Sequence, residues 1–144
     1  MKLFLILLLS INLYAQNTLY FFPKDGQKAI KHIEKLIKNS NNSINIAMYN
    51  FGYKKFAKLL NKAHKRGVKI NIYYDKKTVD FKNIEAKKLD KKLHTKLAIF
   101  DKKIVVFGSP NWTKKSFKEN YEVLYITNDK KIVLKFNNFF KSLD

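Results

Sequence analysis

The sequence predicts one α/β domain with a mixed, largely parallel β-sheet and helices on both faces. Apolar segments with strand-type alternation follow one another along the chain, separated by amphipathic segments of helical spacing. Glycine and proline are scarce, at 4 and 2 of 144 residues, and no repeat or low-complexity segment marks a linker. A hydrophobic content of 46% is enough for a sheet that is covered on both sides.

The first sixteen residues are expected to lie outside this domain. Lys2 followed by the apolar run Leu3–Leu9 has the basic start and apolar centre of a secretory leader, and Ala15 could end it. The run is shorter than the roughly twenty residues that a membrane-spanning helix needs. We therefore expect residues 1–16 to be a signal peptide, or a membrane tether if uncleaved, and residues 17–144 to be an exported domain. An N-terminal core helix is the alternative.

The first half of the domain alternates three strands with two helices. The strands are predicted at Leu19–Phe22, Ile44–Tyr49 and Val68–Tyr74. The helices between them carry apolar residues at helical spacing, over Ala29–Ile37 and Phe56–Ala63. This order predicts right-handed crossovers and parallel pairing.

The second half is predicted to contain a charged loop, a hairpin, one more strand and a closing helix. The loop is expected at Lys76–Lys92, and the hairpin at His94–Phe100 with Ile104–Phe107. The strand is expected at Asn120–Thr127 and the closing helix at Ile132–Phe140. A short strand could form near Ile84–Ala86. The loop is expected to be mobile and to flank the residues discussed next, either as a substrate clamp or as a plain surface loop.

The hairpin carries the candidate site. Residues two apart in a strand share a face, so His94 and Lys96 are predicted to lie side by side. A tight reversal with arms of similar length returns Ser109 and Asn111 to the same end. One imidazole, one ammonium, a hydroxyl and a carboxamide, without a carboxylate, suit a bound phosphate better than a metal ion.

The spacing of these residues resembles the signature of the phospholipase D superfamily. That signature is His-x-Lys, four residues, Asp, six residues, Gly-Ser and then Asn. Here it is filled by His94, Lys96, Asp101, Gly108, Ser109 and Asn111. A lone His-x-Lys would mean little in a lysine-rich chain, but all six positions together are specific. The length also resembles the short, single-motif bacterial nucleases of this superfamily, not its two-motif lipases.

The resemblance implies a mechanism that needs no metal and no cofactor. His94 would attack phosphorus to form a phosphohistidine, and a second histidine would protonate the leaving oxygen. Lys96, Ser109 and Asn111 would hold the non-bridging oxygens. Although Asp101 belongs to the signature, its place at the hairpin reversal favours a role in stabilising the turn over direct chemistry.

Glu122 is a further candidate, because it lies in a segment that is otherwise apolar on both faces. An ionised side chain there is costly unless it has a partner, and His94 is the natural one. The resemblance implies the same pairing, which would fix the tautomer of the imidazole. The alternatives are that Glu122 is an exposed residue at a strand edge, or that Glu119 takes this role.

The single motif predicts a homodimer. Neither His32 nor His64 is followed by lysine at the second position, and both fall on predicted helices as ordinary surface residues. The second catalytic histidine would therefore come from another copy of the chain. A two-fold axis would place His94 against His94 in one shared site.

The charge points to a polyanionic substrate, although the predominance of lysine also reflects a compositional bias. The chain has 30 basic and 11 acidic residues, a net charge of +19, and no cysteine to form disulfides or carry a lipid anchor. We expect a non-specific nuclease acting on DNA or RNA. A phospholipase D-type enzyme acting on a phosphatidyl headgroup or cardiolipin is the alternative, with Trp112 and Phe117 as an apolar entry surface and association with anionic membranes. A non-catalytic DNA-binding module is the third interpretation.

Overall fold

The computed structural model describes residues 16–143, which form one seven-stranded sheet and four helices. The predicted leader, residues 1–16, lies outside the described residues except for Gln16. The strands are β1 (Asn17–Phe21), β2 (Ser43–Phe51), β3 (Lys69–Lys77), β4 (Ala86–Lys88), β5 (Lys96–Phe100), β6 (Ile104–Gly108) and β7 (Val123–Thr127). The helices are α1 (Gly26–Asn39), α2 (Lys54–Lys65), α3 (Lys114–Lys118) and α4 (Lys130–Lys141).

The sheet is mixed, as predicted, but it is not largely parallel. Its strand order is β1-β7-β6-β5-β2-β3-β4. Within residues 16–143, β2 with β3 and β3 with β4 are parallel, whereas the other four pairings are antiparallel. β1 was expected to pair with β2 in parallel. Instead, the β5-β6 hairpin lies beside β2, and β1 pairs with β7 at the far edge of the sheet. A crossover fixes handedness but not adjacency, so the strand-helix-strand order could not exclude this insertion.

Helices cover both faces of the sheet, which confirms that part of the prediction. On one face, α1 buries Ala29, Ile30, Ile33 and Ile37 in a core shared with α2 and α3. On the other face, Val133 and Phe140 of α4 pack with Leu97 and Ile99 of β5. No helix within residues 16–143 has the length and apolar character needed to cross a membrane.

The segment between β3 and β5 is better anchored than its charge suggested. Val79, Phe81 and Ile84 are buried, and the Phe81 ring lies edge-on to Phe51 with 5.0 Å between the ring centroids. The short strand forms at Ala86–Lys88, two residues later than predicted, and pairs with β3. These three apolar side chains are scattered among lysines without periodicity, which hid their contribution to the core.

Candidate active site

Three neighbouring strands, β6, β5 and β2, bring the candidate residues together at one end of the sheet, called the catalytic edge below. His94 precedes β5, Lys96 is the first residue of β5, and Ser109 follows the last residue of β6. The backbone N–H of Tyr49 donates to the Thr95 carbonyl at 2.8 Å, which joins the end of β2 to the same edge. The structure therefore brings the two arms of the predicted hairpin together where the motif required it.

His94 and Lys96 are in direct contact. The Lys96 ammonium lies 3.3 Å from His94 Nε2 and 3.5 Å from Nδ1, and it donates to the His94 carbonyl at 2.9 Å. An ammonium is only a donor, so an imidazole nitrogen that accepts from it must be unprotonated. The His94 side chain is exposed to solvent, and this arrangement presents an imidazole beside a cation at an accessible position.

The environment of Lys96 makes its ammonium less stable than that of an ordinary lysine. Burial lowers the pKa of Lys96, and the neighbouring Lys92 acts in the same direction, whereas Glu122 and Tyr49 oppose the change. The net direction is downward from 10.5. A partly desolvated ammonium also binds an anion more strongly than an exposed one, because its competing water has already been removed.

Tyr49 also belongs to this site and was not among the residues predicted for it. Its ring packs against the His94 ring at a centroid distance of 4.7 Å and an angle of 58°. The ammonium groups of Lys76, Lys92 and Lys96 lie 5.5, 5.9 and 5.2 Å from the centroid of the Tyr49 ring. Tyr49 thus holds the imidazole and gathers three cations around it. As one aromatic residue at the end of an apolar strand, it carried no sequence signal of this role.

Ser109 and Gly108 are fixed by the pairing of β6 with β7. The Ser109 N–H donates to the Val123 carbonyl, and the Val123 N–H donates to Ser109 Oγ, each at 3.0 Å. The Ser109 hydroxyl keeps its own proton for another acceptor. Gly108 must lack a side chain, because a methyl group there would collide with the Val123 carbonyl oxygen.

Asn111 is oriented in a similar way. Its Oδ1 accepts the backbone N–H of Asn50 at 3.2 Å, which ties the loop after β6 to the end of β2. The amide nitrogen of Asn111 is left as a donor. The site therefore offers an ammonium, a hydroxyl and an amide N–H₂, three donors that suit the oxygens of a phosphate.

Glu122 lies in the site, but its predicted hydrogen bond to His94 is not formed. Its Oε1 accepts from Asn120 Nδ2 at 3.1 Å, and its charge opposes the lowering of the Lys96 pKa. Across the described part of the chain, no hydrogen bond joins Glu122 to His94, whose ring nitrogens both face the Lys96 ammonium. Glu119, the rival candidate, is exposed.

Asp101 lies at the opposite end of β5 from the site. Its carboxylate accepts the backbone N–H groups of Asn41, Asn42 and Ser43 at 3.1, 2.8 and 3.0 Å. Burial would raise the pKa of Asp101, but these three donors and Lys103 outweigh it and lower the pKa below 3.8. The residue has a backbone φ of +51°, which aspartate tolerates better than most residues. Asp101 therefore connects the hairpin turn to the start of β2.

The other two histidines lie on helices away from this edge. His32 on α1 is half-buried, with its Nδ1 2.9 Å from the hydroxyl of Tyr20. His64 lies near the end of α2. Neither stands beside His94, as the sequence predicted from their places on helices.

A cavity of about 480 Å³ opens beside the site and gives it one apolar wall. His94, Lys96 and Ser109 line it on one side, and Phe136 and Phe139 of α4 on the other. Trp112 and Phe117 are each only 1% exposed, so they belong to the core and do not form the predicted apolar entry surface. No group of three histidine, cysteine, aspartate or glutamate side chains in the 16–143 range could hold a metal ion.

Fold and site together place an imidazole among an ammonium, a hydroxyl and an amide at one end of the sheet. The sequence matches the family described as "Cardiolipin synthase, PLD-like domain" over residues 33–143. The chain belongs to this phospholipase D-like family, as its motif predicted.

Two solved structures share the fold over almost their whole length. NucT from Helicobacter pylori is 25% identical, with a TM-score of 0.79, and the match covers 90% of this chain and 96% of NucT. Nuc from Salmonella typhimurium, a phospholipase D family member, is 21% identical with a TM-score of 0.75, over 90% of this chain and 94% of Nuc.

A curated human relative is longer than this chain. The human mitochondrial cardiolipin hydrolase is 23% identical over 130 residues, which is 82% of this chain and 52% of the relative. The chain thus spans about half the length of the curated relatives that it matches.

Proposed function

We propose that this protein is a metal-independent phosphodiesterase that cleaves nucleic acid through a phosphohistidine on His94. The observation that carries the proposal is the contact between His94 and Lys96. It sets the imidazole of His94 beside an ammonium at an end of the sheet that is open to solvent. A nucleophile and a cation that can hold the phosphate are thereby placed in one position.

The proposed reaction has two steps that share one intermediate. An unprotonated nitrogen of His94 attacks phosphorus, a P–N bond forms, and the bond from phosphorus to the leaving oxygen breaks. A second histidine gives that oxygen a proton, then takes one from water as the water cleaves the P–N bond. Lys96, the Ser109 hydroxyl and the Asn111 amide donate to the non-bridging oxygens and offset the charge that develops on them.

Glu122 is proposed to act on His94 during this cycle. When substrate draws the Lys96 ammonium toward a phosphate oxygen, an imidazole nitrogen is released from its present contact. The Glu122 carboxylate then stabilises the positively charged phosphohistidine, either directly or through Asn120. Its half-buried position next to Lys96 supports this role.

The second histidine is proposed to be His94 of another copy in a two-fold dimer. An exposed apolar surface on the α4 side of the sheet supports this arrangement, since Leu19, Phe21 and Val123 are 53%, 55% and 44% exposed there. Phe139, which is 39% exposed, also lines the cavity beside His94, and Tyr121 is 93% exposed. Exposed aromatic and aliphatic side chains next to an incomplete site are typical of an interface.

The dimer can be tested by mixing two forms of the chain. Isolated heterodimers of wild type and His94→Ala would lack a complete histidine pair, so we expect no more than residual activity from them. A heterodimer with half of the wild-type rate would mean that each subunit works alone.

Nucleic acid is the favoured substrate because of the charge and the likeness to short bacterial nucleases. A net charge of +19 attracts a polyphosphate, and lysine contacts to phosphates carry little base preference. The match to NucT and Nuc over more than nine-tenths of their length supports the same choice. Export through the leader of residues 1–16, to the periplasm or the medium, is part of this proposal.

A lipid phosphodiester is the second candidate substrate. It is favoured by the family description and by the curated relatives, which are cardiolipin hydrolases. The apolar wall formed by Phe136 and Phe139 could accept part of an acyl chain. A non-catalytic DNA-binding module, the third interpretation, would use the same site only to hold a phosphate.

One assay separates the three possibilities. The purified protein is incubated in EDTA with plasmid DNA, with RNA, and with vesicles of phosphatidylcholine or cardiolipin, beside a His94→Ala control. Cleavage of nucleic acid that the control lacks is the result we expect. Turnover of lipid alone would favour the second candidate, and DNA binding without turnover of any substrate would favour the third.

A further inference from the structure

We propose that the groove between α2 and residues 78–83 is a second binding site, which takes the phosphate backbone of a nucleic-acid strand. This inference rests on the proposed function, because it deepens the choice of substrate to a polymer that extends beyond the catalytic site. The groove, called the α2 groove below, has a volume of about 540 Å³. Lys54, Lys58, Lys62 and Lys65 line one wall, and Lys82 lines the other.

These lysines form a linear array. Along a helix, spacings of three or four residues keep side chains on one face, and the four lysines of α2 follow spacings of four, four and three. Eleven residues at 1.5 Å each separate Lys54 from Lys65, a length of about 16 Å. A nucleic-acid strand that lies along this length presents several successive phosphates to the lysines. A lipid headgroup, with one or two phosphates, would leave most of the array unused.

The cations of the α2 groove are not neutralised within the protein. None of these five lysines forms an ion pair within the described part of the chain, unlike Lys28 with Asp25 and Lys55 with Glu34. Lys55 shows the contrast on the same helix, because its ammonium is 2.6 Å from a Glu34 oxygen. The one carboxylate that lines the groove belongs to Asp80, and it accepts the backbone N–H of Lys82 at 3.0 Å. Five lysines therefore face one acidic side chain.

The α2 groove begins close to the catalytic edge. Asn50 donates its backbone N–H to Asn111, and α2 starts only four residues later at Lys54. Four residues span at most about 14 Å, so a strand whose phosphate is held at His94 can reach the first lysine of the array within a few nucleotides. The buried Ala57 and Val79 form an apolar floor between the two walls, against which sugars and bases can pack.

The consequence is a dependence on substrate length. A strand long enough to occupy both the site and the groove gains binding energy from contacts remote from the cleaved bond. A strand of about four nucleotides occupies the site alone. Each lysine that contacts a single-stranded phosphate should add about 0.7 to the slope of log K against log salt.

The test measures binding of fluorescent single-stranded DNA at several salt concentrations. All proteins carry His94→Ala, so that the DNA stays intact. The groove variant combines Lys58→Gln, Lys62→Gln and Lys65→Gln. Its matched control combines Lys31→Gln, Lys35→Gln and Lys38→Gln on the exposed face of α1, which removes the same charge.

For a 30-nucleotide strand, we expect the groove variant to weaken binding at least tenfold in 0.1 M salt and to lower the salt slope by about 2. The control variant should lose far less affinity for this strand. For a 4-nucleotide strand, neither variant should differ in affinity from the His94→Ala parent. A single Lys82→Gln substitution on the opposite wall should lower the slope by about 0.7. Circular dichroism and thermal melting verify that every variant is folded.

Three outcomes would overturn the α2 groove as a nucleic-acid site. The groove and control variants could lose the same DNA affinity, or the groove variant could lose the same affinity for short and for long strands. The groove variant could also lose binding to cardiolipin vesicles while its DNA binding stays intact. These outcomes are independent of catalysis. If the wild-type protein does not cleave DNA, the proposed function is refuted. A loss of DNA binding in the groove variant that depends on strand length would still support the α2 groove in that case.

Discussion

Replacement of Asp101 by asparagine should weaken the fold and leave the chemistry intact. The aspartate belongs to the family motif, yet in this structure its carboxylate accepts three backbone N–H groups from residues 41–43. Oδ1 accepts two of them and Oδ2 accepts the third, from Asn41. An asparagine keeps one oxygen for two donors and turns its N–H₂ group toward the third.

The magnitude follows from this geometry. In Asp101→Asn one hydrogen bond is lost, and the acceptor of the other two changes from a charged carboxylate to a neutral amide. Each change costs roughly 0.5 to 1.5 kcal/mol before solvent is considered. Because the carboxylate is half-exposed, the cost should be about 1–2 kcal/mol. Asp101→Ala should cost about 3 kcal/mol, since it loses all three acceptors and places alanine at φ +51°. Urea unfolding at pH 7 measures both, and the exposed Asp90→Asn serves as the neutral control.

The pH dependence has a defined sign. The pKa of Asp101 is lower in the folded protein than its ordinary value of 3.8. The carboxylate therefore stabilises the fold above that value, and this stabilisation is lost as the pH falls through the folded pKa. The difference between wild type and Asp101→Asn should be full at pH 7 and shrink below about pH 4. A stable Asp101→Asn protein whose kcat has fallen by more than tenfold would refute this reasoning and assign Asp101 to the chemistry.

The remaining predictions concern the catalytic edge. His94→Ala should abolish turnover, with unchanged circular dichroism, whereas loss of the fold would leave the role of the imidazole unsupported. Lys96→Ala should lower kcat and also raise KM, because the ammonium holds the phosphate; a change in neither would remove Lys96 from the site. Lys92→Gln removes a like charge that lowers the pKa of Lys96, so the alkaline limb of kcat/KM should move to higher pH, and an unmoved limb would contradict the assignment. Glu122→Gln should lower kcat at least tenfold with little change in KM and shift the pH profile, whereas a loss of thermal stability alone would indicate a structural role.

Local patterns were sufficient to predict most elements and the composition of the candidate site. Strand and helix periodicity predicted six of the seven strands at nearly their observed positions, and the turn at Asp101–Lys103 accounts for the meeting of His94 with Ser109. The prediction of strands from periodicity and the prediction of the site from the turn both depend on residues that are close in sequence, where the backbone repeat fixes the geometry.

The features that the sequence did not predict are nonlocal. The position of β1 beside β7 depends on pairing between residues more than one hundred positions apart. Tyr49 reaches His94 only because β2 pairs with β5, and α3 is a five-residue helix capped by Thr113 inside a polar stretch. Lys96 occupies the imidazole nitrogens that Glu122 was expected to contact, a competition that only three-dimensional distances could reveal.

Trapping the covalent intermediate would test the proposed chemistry of His94 itself. An oligonucleotide is mixed with excess wild-type protein in EDTA, the reaction is quenched in denaturant at alkaline pH within a turnover, and the protein is digested for mass spectrometry. A phosphohistidine mechanism should leave a nucleotide phosphoramidate on His94 that disappears on mild acid treatment and is absent from His94→Ala. Turnover under these conditions with no adduct, or with an adduct on a different residue, would contradict it.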